Sequence, residues 1–236
     1  MKLLNKLKQE LQRLRNPKKA KILQGFFKTA KGQYGEGDIF LGVGVPLQRK
    51  IVRKYLMLKL SDLRELLLTN IHEYRLTALL ILIGKYEKAG GKEKKGIFDF
   101  YLKNTKGINN WDLVDLSAPK IAGNYLLDKH KERKILYRLV GSSDLWEKRI
   151  AILATYAFIK DDQFEDILKI AEILLKDEHD LIHKAVGWML RELGKRDQKT
   201  EEKFLKKYYE TMPRTMLRYA IEKFDKKKRG FYLGRF

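Results

Sequence analysis

Three short segments gather residue types able to do chemistry. In INNWDLVDLSAPKI, residues 108–121, Trp111 and Asp115 stand four apart, which puts them on one face of a helix. An aromatic wall beside a carboxylate can receive a planar cation, and it can stabilise positive charge as it develops. The same pair would equally suit a buried tryptophan with an aspartate capping a nearby helix. In LWEKRIAILATYAFI, residues 145–159, Arg149 opens an otherwise apolar stretch. Its guanidinium is suited to a phosphate or to a salt bridge with a neighbouring element. In DEHDLIHKAVGWMLRELGKR, residues 177–196, Trp188 lies four residues after Lys184 and three before Arg191. That places an aromatic ring among cations, although Trp188 alone would serve a core.

Other chemistries find little support. His179 and His183 have the i, i+4 spacing of helical metal ligands, but Asp-Leu-Ile lies between them. That is not the H-E-x-x-H pattern, and no metal or cofactor is expected. There are no cysteines, so thiol nucleophiles, disulfides and cysteine-bound metals are excluded. KGQYGEGDIFLGVGVP, residues 31–46, carries five glycines. It lacks the G-x-x-x-x-G-K-[ST] phosphate loop and a βαβ context, so it is expected to be a structural connection.

These residues sit in a chain of 236 with 51 Lys and Arg against 30 Asp and Glu, a net charge of +21. So large a surplus opposes compaction by self-repulsion, and it suits a polyanionic partner. The N-terminal MKLLNKLKQELQRLRN lacks an apolar signal core. The longest apolar run, Leu79 to Ile83, is too short to cross a bilayer. A soluble, cytoplasmic protein without a membrane association is expected.

The elements needed to position the candidates are helices. Leu4, Leu7, Leu11 and Leu14 mark a helix over 3–15, broken by Asn16-Pro17, with a second over 18–30. Pro46 opens another helix in the favoured first turn. Turns are expected at Ser61-Asp62, Gly90-Gly91, Asn109-Asn110, Gly141-Ser143, Asp161-Asp162, Lys195-Asp197 and Met212-Pro213, with Ser61 and Asp144 as N-caps. No segment reads as a strand. Arg75, Asp112, Arg149, Lys184 and Arg218 recur at intervals of about 34–37 residues, each opening the apolar stretch of a helix that follows another helix and a turn. A helix pair at this period indicates an all-α, HEAT-like helical-repeat solenoid. Residues 1–236 are expected to form one such domain, with N-terminal helices and the glycine-rich segment in 1–45 and helix pairs in 46–236. Charges at equivalent points would form a ladder on a concave basic face, with Arg75, Lys184, Arg191 and Arg218 available to a phosphate backbone.

The segments NNWDLVDLSAP, LWEKRIAI, HKAVGWMLRE and MPRTMLRYAIEKF, together with FLGVGVPLQRK, resemble the DNA alkylation repair family over nearly the whole chain. The resemblance implies HEAT-like repeats. It also implies hydrolysis of the N-glycosidic bond of alkylated purines such as 3-methyladenine and 7-methylguanine in duplex DNA, without a base-flipping pocket. By resemblance, Trp111, Asp115 and Arg149 are the catalytic-cleft residues, and Trp188 is a DNA contact. One departure is Ile150, where the family's best-known member has a small residue. The implied protein is a monomer needing no obligate protein partner, nucleoid-associated when bound to DNA. Two other readings fit the residues: a non-catalytic module binding branched or distorted DNA, and a HEAT-like scaffold for protein partners.

Overall fold

The computed structural model describes residues 2–234. Among them there are helices, turns and one isolated bridge between Ile39 and Ile71, but no strand. No helix is long and apolar enough to cross a membrane. The chain divides into two compact units, Met1–Leu113 and Val114–Phe236.

The first unit holds α1 (Leu3–Arg13), α2 (Pro17–Phe26), α3 (Val45–Val52), α4 (Leu60–Leu67), α5 (His72–Lys88) and α6 (Gly91–Lys103). Helix α7 (Trp111–Ser117) begins at its end. Helix α1 buries Leu4, Leu7 and Leu11, the spacing of one helical face. Asn16 caps α2 by accepting from the Lys19 amide at 3.0 Å, and Pro17 occupies the first turn. Helix α2 stops at Phe26 rather than near residue 30, because Lys28 turns to a left-handed φ of 51°. Ser61 is not a cap: α4 already starts at Leu60, and Asp62 reaches back to the Lys59 amide at 2.9 Å.

The first turn of α5 ties this unit together. Glu73 is buried and accepts from the amides of Leu41, Gly42 and Val43 at 2.8, 2.8 and 3.1 Å. The glycine-rich segment is therefore a structural connection whose amides are taken by the chain's own carboxylate. Tyr74 meets the Gln12 side-chain amide of α1 at 3.0 Å. His72 and Arg75 contact Asp38 within the glycine-rich segment.

The second unit takes the rest of α7, then a π turn at Pro119–Gly123 and the short α8 (Asn124–Leu126). There follow α9 (Lys134–Val140), α10 (Leu145–Lys160), α11 (Glu165–Leu174), α12 (Asp180–Gly194), α13 (Gln198–Tyr208), α14 (Arg214–Ala220) and α15 (Lys226–Leu233). Asp144 caps α10 as expected, accepting from the Trp146 amide at 2.7 Å and the Glu147 amide at 3.3 Å. The five repeat anchors lie on α5, α7, α10, α12 and α14, each of which follows a partner helix. Within this unit α10 packs on α12, and α12 on α14. Gly187 allows the second contact: a Cβ there would lie 2.6 Å from the Tyr219 Cβ and closer still to the Met216 carbonyl.

Gly42 has a φ of +84°, and a Cβ on it would run into the Asn16 carbonyl. Gly42→Ala is expected to cost about 1–3 kcal/mol in denaturant unfolding. Glu201 on α13 is buried, which together with the neighbouring Glu202 charge pushes its carboxyl up to about 9 from 4.5. A raised acid pKa gives stability that is full below about 4.5 and lost as pH rises to about 9. Glu201→Gln is expected to remove that slope, read as urea midpoints at the two ends of this range.

Candidate active site

The second unit brings Asp115 and Arg149 together. Arg149 lies in the first turns of α10, and its side chain is 5% exposed. Its Nε and Nη2 each donate to one oxygen of Asp115 at 2.8 Å, a bidentate pair. Nη1 donates to the Leu181 carbonyl on α12. The Asp115 side chain keeps 18% of its surface open. The geometry fixes a carboxylate in direction and leaves it in reach of solvent.

The first turn of α12 is fastened beside this pair. His179 caps the helix, its Nδ1 accepting from the Leu181 amide at 3.1 Å, while His183 contacts the Asp177 carbonyl at 2.5 Å. Lys148 meets Asp177 at 2.7 Å. The two histidines thus serve the backbone of one helix start. Among the described residues no group of three His, Cys, Asp or Glu is placed to hold a metal.

Trp188 is half-buried on α12. Its indole N–H donates to Glu192 at 3.1 Å, and its ring lies 6.4 Å from Tyr156 on α10. Lys160 reaches over Tyr156 at 5.4 Å. Sequence reasoning missed Tyr156 and Lys160, although they follow Arg149 at i+7 and i+11, the spacing of one helical stripe. Lys184, Trp188 and Arg191 on α12, with Lys195 just past its end, have the same spacing. Lys184 pairs with Asp180 at 2.6 Å, and Arg191 pairs with Glu222 and with Glu192. Arg218 is exposed on α14.

The first unit holds Trp111 and Arg75. Trp111 is half-buried, stacked on Phe27 at 5.2 Å and 18°, with the exposed Phe26 edge-on at 5.9 Å. Arg75 is buried and paired with Asp38. Burial corrects the expected ladder of surface cations. Of the five anchors, Arg75 and Arg149 point inward, because each has found an aspartate that neutralises it out of water. Arg75 in this arrangement does not reach a phosphate.

The architecture and these residues frame the comparisons with known proteins. A profile of the family described as DNA alkylation repair enzyme matches residues 7–224. The chain belongs to that family. No curated protein matches it. A solved structure described as a predicted DNA alkylation repair enzyme from Enterococcus faecalis is similar in fold, with a TM-score of 0.71 at 18% identity. The likeness covers 90% of this chain and 97% of the other.

Arg149→Ala would leave the Asp115 carboxylate partly buried without its guanidinium. The expected loss is about 3 kcal/mol of folding stability, read by denaturant unfolding, because breaking such a pair leaves an uncompensated charge. Arg149→Lys is expected to restore only part of it, since an ammonium cannot make the fork.

Proposed function

We propose that this family member is a DNA glycosylase. It hydrolyses the N-glycosidic bond of cationic alkylated purines, such as 3-methyladenine and 7-methylguanine, in duplex DNA without a base-flipping pocket. The observation that carries this reading is the Asp115 carboxylate, oriented by the two-pronged contact with Arg149 yet open to solvent.

An alkylated purine already bears positive charge, so it leaves without being protonated. The bond electrons pass to the purine, which departs neutral, and the sugar takes on oxocarbenium character. A fixed carboxylate stabilises that charge as it develops. It also orients the water that adds to the anomeric carbon, whose proton passes to Asp115 or to solvent. Arg149 acts through Asp115 in this scheme: the fork keeps the carboxylate aimed. Trp111, one helical turn before Asp115 in the sequence, and Trp188 offer π faces to a cationic nucleotide. Lys184, Arg191 and Arg218 supply phosphate contacts, with Lys160 and Lys195 added by their stripes. The protein works as a monomer on DNA in the cytoplasm, nucleoid-associated when bound, with no metal or cofactor.

A second reading, a non-catalytic module for branched or distorted DNA, has one observation in its favour. Asp115 is satisfied by Arg149 as a structural ion pair would be.

The two separate on duplex DNA carrying 7-methylguanine. Asp115→Asn is expected to lower base release by about 100-fold or more while leaving DNA affinity within a few-fold. Unchanged release in this variant, or no release by the folded, DNA-bound wild type, would overturn the glycosylase reading. Tight binding to junctions without excision would favour the second.

A further inference from the structure

His72 opens α5 and is buried, with a side chain 2% exposed. Its two ring nitrogens face two different carboxylates. Nδ1 lies 3.2 Å from Asp38 of the glycine-rich segment, and Nε2 lies 2.8 Å from Asp112 in the first turn of α7. Both approaches are hydrogen bonds only for the imidazolium, which has an N–H on each nitrogen. A neutral ring has one N–H and would turn a lone pair toward the other carboxylate.

The two carboxylates are not equally provided for. Asp38 is also paired with Arg75 and touched by the Asn110 side-chain amide at 3.5 Å. Asp112 uses its other oxygen on the Leu113 amide at 2.9 Å, within its own helix start. His72 is thus the cation that reaches from α5 to α7 at this point.

An aromatic column runs beside it. His72 stacks on Phe40 at 4.4 Å and 21°, Phe40 on Phe27 at 5.0 Å and 20°, and Phe27 on Trp111. Trp111 is therefore connected to His72 twice: through the column, and through Asp112 next to it in the chain. All these groups belong to the first unit.

We propose that His72, as an imidazolium bridging Asp38 and Asp112, is a positioning residue that holds the first turn of α7 and sets the Trp111 ring for the nucleotide. The catalytic consequence rests on the glycosylase reading above. The charges that face His72 are Asp38, Asp112 and Arg75. Burial and Arg75 favour the neutral ring, but the hydrogen bonds to Asp112 and Asp38 outweigh them and hold its pKa above the ordinary histidine value. The same contacts hold Asp38 below the usual carboxylate range despite its burial. The bridge is therefore present while the ring is protonated and both carboxylates are ionised, and it is lost as pH rises past the raised value.

The test follows the Trp111 indole N–H by proton–nitrogen NMR across pH, assigned with Trp111→Phe, alongside single-turnover release of 7-methylguanine at saturating enzyme. In the wild type the indole signal is expected to move in one step as His72 loses its proton. Base release should fall across the same step by about tenfold or more, as expected for a misplaced contact. In His72→Gln both steps should vanish, with release low throughout. In Asp112→Asn, which keeps the shape but removes a carboxylate that holds the proton, the indole step should move to lower pH. A wild-type indole signal constant with pH, or a step unmoved in Asp112→Asn, would overturn the proposal. These two titrations decide even where His72→Gln does not fold. An indole step as described with no base release at all leaves His72 as the positioning residue of Trp111 and defeats the glycosylase reading instead.

Discussion

A guanidinium removed from water has to meet a carboxylate, and in this chain that requirement organises both units. Arg75 pairs with Asp38, Arg133 with Asp166 and Arg149 with Asp115, each arginine lying in the interior. Every one of these pairs joins segments distant in sequence. An unpaired ion in such a place would cost several kcal/mol, so each pair specifies which segments must meet. It follows that the surplus of +21 is not carried by the interior. It belongs to surface lysines and arginines, where solvent and salt moderate it and a polyanion can use it.

The same pairing divides labour among residues of one type. Arg133 also donates to the Leu126 carbonyl and lies over the Phe158 ring at 4.0 Å, so its surroundings are those of a core. Arg149 has a partner left more open to solvent, with 18% of the Asp115 side chain exposed against 11% for Asp166 and 2% for Asp38. Family membership says that the chain comes from DNA alkylation repair enzymes. The proposed placing of such an activity in the second unit rests on the openness of Asp115.

Much of the architecture was legible because it depends on local patterns. Helix pairs follow from apolar periodicity and turn residues, and the repeat anchors fall on α5, α7, α10, α12 and α14. The Asp144 cap was legible because a cap bonds within its own turn. What escaped depends on distant partners. Nothing near Arg75 reveals that Asp38, 37 positions earlier in an irregular segment, turns it inward. Ser61 looked like a cap because serine favours that place, yet the helix starts one residue earlier, and Asp62 at its third position reaches back to the Lys59 amide. The end of α2 was set by a lysine in a left-handed conformation, a choice that composition does not reveal. Tyr156 and Lys160 were visible as spacing, but an aromatic in an apolar helix ordinarily reads as core.

The first turn of α5 has a further consequence for how the first unit tolerates change. His72, Glu73, Tyr74 and Arg75 are consecutive, and they reach α7 and Asp38, the backbone of residues 41–43, α1, and Asp38 again. Successive residues of a helix point about 100° apart, so four in a row face every direction around its axis. The turn therefore behaves as a keyed shaft. Inserting or deleting one residue just before it would rotate all four teeth away from their slots at once, and no single compensating substitution could restore the fit. Length in this part of the chain is fixed more tightly than sequence.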